Sequence, residues 1–96
     1  MTEEERTKEF YDRLREQLQN DTQWPSEYLF KFIVPASLEK IAVIEAIFNG
    51  TNAEMTTRNS SKGNFASISI KVPMDSPDAV IEKYLEVSKV EGVISL

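Results

Sequence analysis

The chain has 96 residues, 41% hydrophobic and 28% charged, a size and balance that suit one globular domain near the lower limit for burying a core unaided. It contains no cysteine and no histidine, which removes disulfides, thiolate nucleophiles, the usual zinc ligands and the commonest general base at neutral pH. Its 16 acidic and 11 basic residues give a net charge of −5, against the clustered positive charge that nucleic-acid binding normally requires.

Residues 2–20 read as a polar helix. Thr2 and Glu5 fit a capping box, and Glu4–Lys8 and Glu9–Arg13 are i,i+4 pairs with the acid on the favourable side. The apolar stripe is thin: Phe10, Tyr11, Leu14 and Leu18. Such a helix docks by one narrow face or projects outward. Residues 21–26 form a link in which Pro25 pushes Trp24 toward an extended conformation. The expected division is therefore an accessory helix and link over 1–23 and a domain over 24–96.

Residues 27–34 alternate as a first strand with one buried face, Tyr28, Phe30, Phe32 and Val34 against Leu29, Lys31 and Ile33. Pro35 ends it and Ser37 is placed to cap a helix over 38–49. That helix carries Leu38, Ile41, Ile44, Ile47 and Phe48 at threes and fours, and Gly50 stops it. Two shorter alternating runs follow, over 52–58 and 65–72. Between them 59–64 (Asn-Ser-Ser-Lys-Gly-Asn) has the composition of a hairpin loop. Pro73 is expected to close the second run. Ser76 and Pro77 then start a helix over 77–90, its inner face expected to hold Val80, Ile81, Tyr84, Leu85 and Ser88. Residues 93–96 form a short last strand after Gly92.

The order is a helix followed by β-α-β-β-α-β. With right-handed crossovers this predicts an α+β, ferredoxin-like sandwich: a four-stranded antiparallel sheet, two helices on one face and an extra N-terminal helix. No run approaches the ~18 apolar residues of a membrane span, and the N-terminus has no signal-peptide pattern, so a cytoplasmic location is expected. The glycosylation tripeptides at Asn20, Asn49 and Asn59 are then chance matches.

The segment from 58 to 65 is the most distinctive. Arg58 and Lys62 bracket Ser60, Ser61, Gly63 and Asn64, with Phe65 next. Convergent amides of Lys62, Gly63 and Asn64 could form an anion-binding nest beside the two cations, and ordinary turn chemistry explains the same composition. The solvent face of the sheet is the second place. Leu29, Lys31 and Ile33 would lie beside Phe65, Ser67, Ser69 and Lys71, an apolar patch to be covered by the N-terminal helix or a partner subunit. Glu82 and Glu86 share a helix face with Lys83 and Lys89, a solvated charged surface rather than an acid–base pair. Tyr28 and Tyr84 read as core residues with a polar tip. No metal ligand set and no cofactor is expected.

Trp24-Pro25 leading into Tyr28-Leu29-Phe30-Lys31-Phe32, then Ser60-Ser61-Lys62-Gly63-Asn64-Phe65 and Ser67-Ile68-Ser69-Ile70, resemble the YbeD-like family of small, functionally uncharacterised bacterial proteins. The likeness extends over 24–96. It implies a ferredoxin-like fold similar to ACT regulatory domains, which bind small effectors at interfaces between copies. ACT domains usually carry a glycine in the turn after strand one. Here that turn is Val34-Pro35-Ala36-Ser37, so the likeness stops short of the effector-binding turn.

Together these features predict a non-enzymatic regulatory or adaptor module acting through protein–protein contact, with or without a small effector, and open to pairing with a second copy through its sheet face. The alternative is a small-anion or metabolite binder that uses Arg58, Ser60, Ser61, Lys62, Gly63, Asn64 and Phe65. Neither membrane nor nucleic acid is expected as a partner.

Overall fold

The computed structural model describes residues 2–96. Its elements are α1 (Glu3–Asp21), β1 (Ser26–Pro35), α2 (Leu38–Ile47), β2 (Glu54–Asn59), β3 (Phe65–Met74), α3 (Pro77–Ser88) and β4 (Ile94–Ser95). The sheet is ordered β2-β3-β1-β4 and every neighbouring pair is antiparallel. The chain is thus a mixed α+β protein with a four-stranded antiparallel sheet and three helices.

Alternation in the two central strands builds the core. Phe30, Phe32 and Val34 of β1 face one side together with Ala66, Ile68, Ile70 and Val72 of β3, all fully buried. Ile44 of α2, Phe48 at its end, and Val80, Tyr84 and Val87 of α3 close over them, which places α2 and α3 on the same face of the sheet. Each large apolar side chain buried this way contributes about 1.5–3 kcal/mol. The helix starts follow the predicted caps. Thr2 Oγ1 accepts from the Glu5 amide at 3.2 Å, Ser37 Oγ from Lys40 at 3.3 Å, and Ser76 Oγ from Ala79 at 3.2 Å.

Some expected details differ for geometric reasons. Leu38 is 88% exposed, because it sits at the first position of α2, about 120° around the helix from Ile44. On α3 Leu85 lies roughly 140° from Val80 and is half-exposed, whereas Val87 lies within about 20° of it and is buried. Ser88 is likewise exposed and donates to the Leu85 carbonyl at 2.6 Å. Nor does Pro73 close its strand, since β3 runs on to Met74. The N–H and C=O of Phe65 both turn toward Ser60, on the β2 side. Pro73, an even number of residues further on, faces the same way, but β2 has already stopped with Glu54 opposite Lys71. Its missing N–H therefore costs no ladder bond.

The N-terminal helix does not cross the open face of the sheet. It packs along α3, on the helical side, through Tyr11, Leu14 and Leu18. Two polar contacts fix it there: the Trp24 indole N–H donates to the Leu18 carbonyl at 3.1 Å, and Arg15 bridges Asp12 and Asp78, the latter in the first turn of α3. Trp24 is joined to Pro25 by a cis peptide. At the other end of the chain Gly92 has φ +82°, and a Cβ there would stand 2.9 Å from Pro35 Cγ. Only glycine lets the chain pass β1 closely enough for Ile94 to pair with Ile33.

Beneath α1 the Tyr28 and Tyr84 hydroxyls hydrogen-bond each other at 2.8 Å, so the two polar tips satisfy one another inside the core. Burial, and then this hydrogen bond, push the Tyr84 phenol well above its ordinary range. A phenol whose folded pKa is raised stabilises the fold fully below its unfolded value of about 10, and that stability is lost as pH rises beyond it. Urea melts should therefore lose stability more steeply above pH ~10 in the native protein than in Tyr84→Phe; equal slopes would contradict this. At neutral pH, Ile70→Asp should consume most of the ~5–15 kcal/mol that hold such a domain together, by burying an unpaired charge. Ser69→Asp, on the opposite face, should leave a cooperative melt. Matching melts for the two variants would mean that the strand register is wrong.

Candidate functional site

With both packed helices on one side, the other face of the sheet is left open. Pairing sets its rows. Arg58, Ser67, Ile33 and Ile94 run across the four strands in one line. Thr56, Ser69 and Lys31 form the next, followed by Glu54, Lys71 and Leu29. Leu29, Phe65 and Ile94 are each about half exposed, at 52%, 47% and 53%. These side chains belong to strands and cannot turn inward without reversing the pleat, so their exposure follows from the register itself. Lys71 pairs with Glu27 at 3.4 Å. Among the described residues, Lys31, Arg58 and Lys62 make no ion pair.

The hairpin divides the predicted loop site in two. The Ser60 carbonyl accepts from Gly63 N–H at 2.9 Å, the Ser60 N–H donates to the Phe65 carbonyl at 2.8 Å, and Ser60 Oγ accepts from Phe65 N–H at 3.2 Å. Gly63 takes φ +74°, the left-handed conformation expected of it. Its amide is thereby used to close the turn, so the expected convergence of Lys62, Gly63 and Asn64 amides on an anion loses its central donor. The Asn64 carbonyl accepts from Ala36 N–H at 3.0 Å and ties the hairpin to the end of β1.

Arg58, Ser60 and Phe65 instead join Ile33, Asn59 and Ser67 around a hollow of about 280 Å³ on the open face. Ser61, Lys62, Gly63 and Asn64 form the tip of the hairpin and do not line it. The structure thus unites half of the predicted loop with the predicted sheet patch. Sequence alone sets Ile33 beside Phe65 and Ser67 but keeps the loop apart, because only the β2–β3 register shows that Arg58 lies opposite Ser67 in the same row.

On the helical side Lys83 has a structural duty. Lys83 donates to the Ile47 carbonyl at 2.7 Å, lies 5.5 Å from the centre of the Phe48 ring, and stands 3.6 Å from Glu86. It secures the end of α2. No group of three or more carboxylates that could hold a metal ion occurs among the described residues. A second concavity, about 530 Å³ between α2 and α3, is lined by Val43, Ile47 and Val90 together with Lys40 and Lys89 and the carboxylates Glu39, Glu86 and Glu91. Sequence reasoning missed it. Its one signal was Val43, which falls off the core-facing stripe of α2 and is 46% exposed.

Residues 19–96 match the family model described as protein of unknown function, DUF493, and the chain belongs to that family. No curated protein and no solved structure matches it. Most of α1 lies outside the matched residues. Among the described residues no helix is long and apolar enough to cross a membrane.

The turn geometry makes a prediction of its own. Gly63→Val should destabilise by roughly 1–3 kcal/mol through backbone strain at positive φ. Lys62→Glu, at the exposed tip, should shift stability by less than ~0.5 kcal/mol. Paired urea melts check this, and an undisturbed Gly63→Val would show that the turn is not the one described.

Proposed function

We propose that this member of the DUF493 family is a small, non-enzymatic regulatory or adaptor module of the cytoplasm that acts through protein–protein contact on its open sheet face. The frame is of the ferredoxin-like, ACT-like kind that the YbeD-like resemblance implies. Its support is the strand order β2-β3-β1-β4 and the two helix-bearing connections that each pass over one intervening strand.

One observation carries the functional reading. Leu29, Ile33, Phe65 and Ile94 share a face that α1 leaves uncovered. Ile33, Ile94 and Phe65 adjoin at one end of this face, with Leu29 beyond the polar row of Thr56, Ser69 and Lys31, and exposed apolar groups of this kind on a small acidic domain favour a partner over open water. A non-enzymatic role is supported by the absence of His and Cys, and by the groups with displaced pKa values. These are Tyr11, Arg15 and Tyr84, all engaged between α1 and α3 rather than at the open face. A second reading, a small anion or metabolite held at the hairpin, draws on Arg58 beside the Ser60 and Ser67 hydroxyls. It is the weaker, because the Gly63 amide is already used by the turn.

Leu29→Glu combined with Phe65→Glu should abolish partner capture while leaving the melting temperature within a few degrees, since both side chains are already half exposed. Leu38→Glu, on the helical side, should retain every partner. Capture from lysate, with quantitative comparison of the three proteins, decides the matter. Retention of all partners by the double variant would overturn the assignment of the sheet face.

A further inference from the structure

We infer that the segment docking on this face is an extended, acidic and apolar stretch of a partner protein, with one apolar side chain anchored in the hollow beside Arg58; this rests on the sheet face being the contact surface. Charge is the first reason. The open face and its hairpin carry Lys31, Arg58, Lys62 and Lys71 against Glu27 and Glu54, in a chain whose net charge is −5. Glu27 is held by Lys71 at 3.4 Å, which leaves Lys31, Arg58 and Lys62 against Glu54 alone, an excess of positive charge to be matched from outside. The face and hairpin thus carry a balance of +2, four cations against two acids, while the other seven cations and 14 acids of the chain leave −7 elsewhere, and Leu29, Phe65 and Ile94 are exposed on the positive side. Complementary charge steers such an encounter and fixes its register.

The same charges disfavour the alternatives. A second copy presenting the same face would set Lys31 and Arg58 against like charges. A single strand of RNA would want a row of stacking aromatics, and Phe65 is the only aromatic on this face among the described residues. A metabolite would want a larger cavity. The hollow, at about 280 Å³, falls below the roughly 300–1,000 Å³ usual for small-molecule pockets and suits one anchoring side chain. Arg58 and Ile33 lie in one row with Ser67 between them, two strand spacings or about 10 Å apart. A strand-like partner segment covers both at once, its apolar residue against Ile33 and Phe65 and a neighbouring carboxylate against Arg58.

The test uses the full chain, isotopically labelled, titrated with five probes and read by amide chemical shifts. These are a peptide alternating Glu with Leu, the same peptide with Lys for Glu, one with Ser for Leu, inorganic phosphate, and a single-stranded RNA oligomer. Only the Glu–Leu peptide should shift Ile33, Arg58 and Phe65. Its affinity should fall at least fivefold in Arg58→Gln, and again as salt is raised. Equal binding of the Lys peptide, binding of RNA or phosphate at these residues, or no binding by the Glu–Leu peptide would each overturn the inference. So would concentration-dependent dimerisation that is lost in Phe65→Glu. If the sheet-face substitutions abolish partner capture while the Glu–Leu peptide fails to bind, the contact surface stands and only the chemistry of the partner falls. If neither depends on the face, both fall.

Discussion

The antiparallel pairing of β1 with β3, ten residues on ten, is the constraint from which the rest follows. It sets Phe30 beside Ile70 and Phe32 beside Ile68 on one side, and Leu29 beside Lys71 and Ile33 beside Ser67 on the other. A slip of one residue would exchange the two sets, burying lysines and exposing phenylalanines. The register that forms the core therefore also forms the open face. Neither can be altered alone. The aromatic ladder of Phe30, Phe32, Phe48 and Tyr84, with ring centres 5.0–6.0 Å apart, holds the helical side to that register.

The elements were legible in the sequence because each had a local cause. Period-two alternation marked β1 and β3, and Ser37 and Ser76 marked helix starts that the structure caps as expected. Less legible were features set by neighbours that sequence does not place. Leu38 and Leu85 fit a generous helical stripe, but helix–sheet packing is narrower than that stripe. Pro73 looks like a strand end until the partner strand on its N–H side is seen to stop first. Trp24 read as a linker residue, yet its indole binds the end of α1 and its ring packs against the core. The candidate site was half legible. Arg58, Ser60 and Phe65 stood out by type and Phe65 was expected beside Ile33, but the union of Arg58 and Ser60 with that patch depended on strand pairing, and the turn's own use of the Gly63 amide was hidden.

The molecule divides its labour by side. Acidic α1, the Tyr28–Tyr84 pair and the Lys83 contact with α2 consolidate the helical side. On the opposite side Lys31, Arg58, Lys62 and Lys71 outnumber Glu27 and Glu54, beside the exposed Leu29, Phe65 and Ile94. Since α1 docks on α3 and lies mostly outside the family match, it contributes stability to one side without obstructing the other. An uncovered sheet face is thus compatible with a small core closed on its helical side, and its chemistry determines what can settle on it.

The most direct test of this account is a methyl-resolved nuclear Overhauser map of the free protein at low concentration. The account predicts contacts from the Tyr84 ring to Tyr11 and Leu14 of α1. It predicts none from α1 to the methyl groups of Leu29, Ile33 or Ile94. Contacts from α1 to those three residues would mean that the helix folds across the sheet, and that the face assigned to a partner is already occupied.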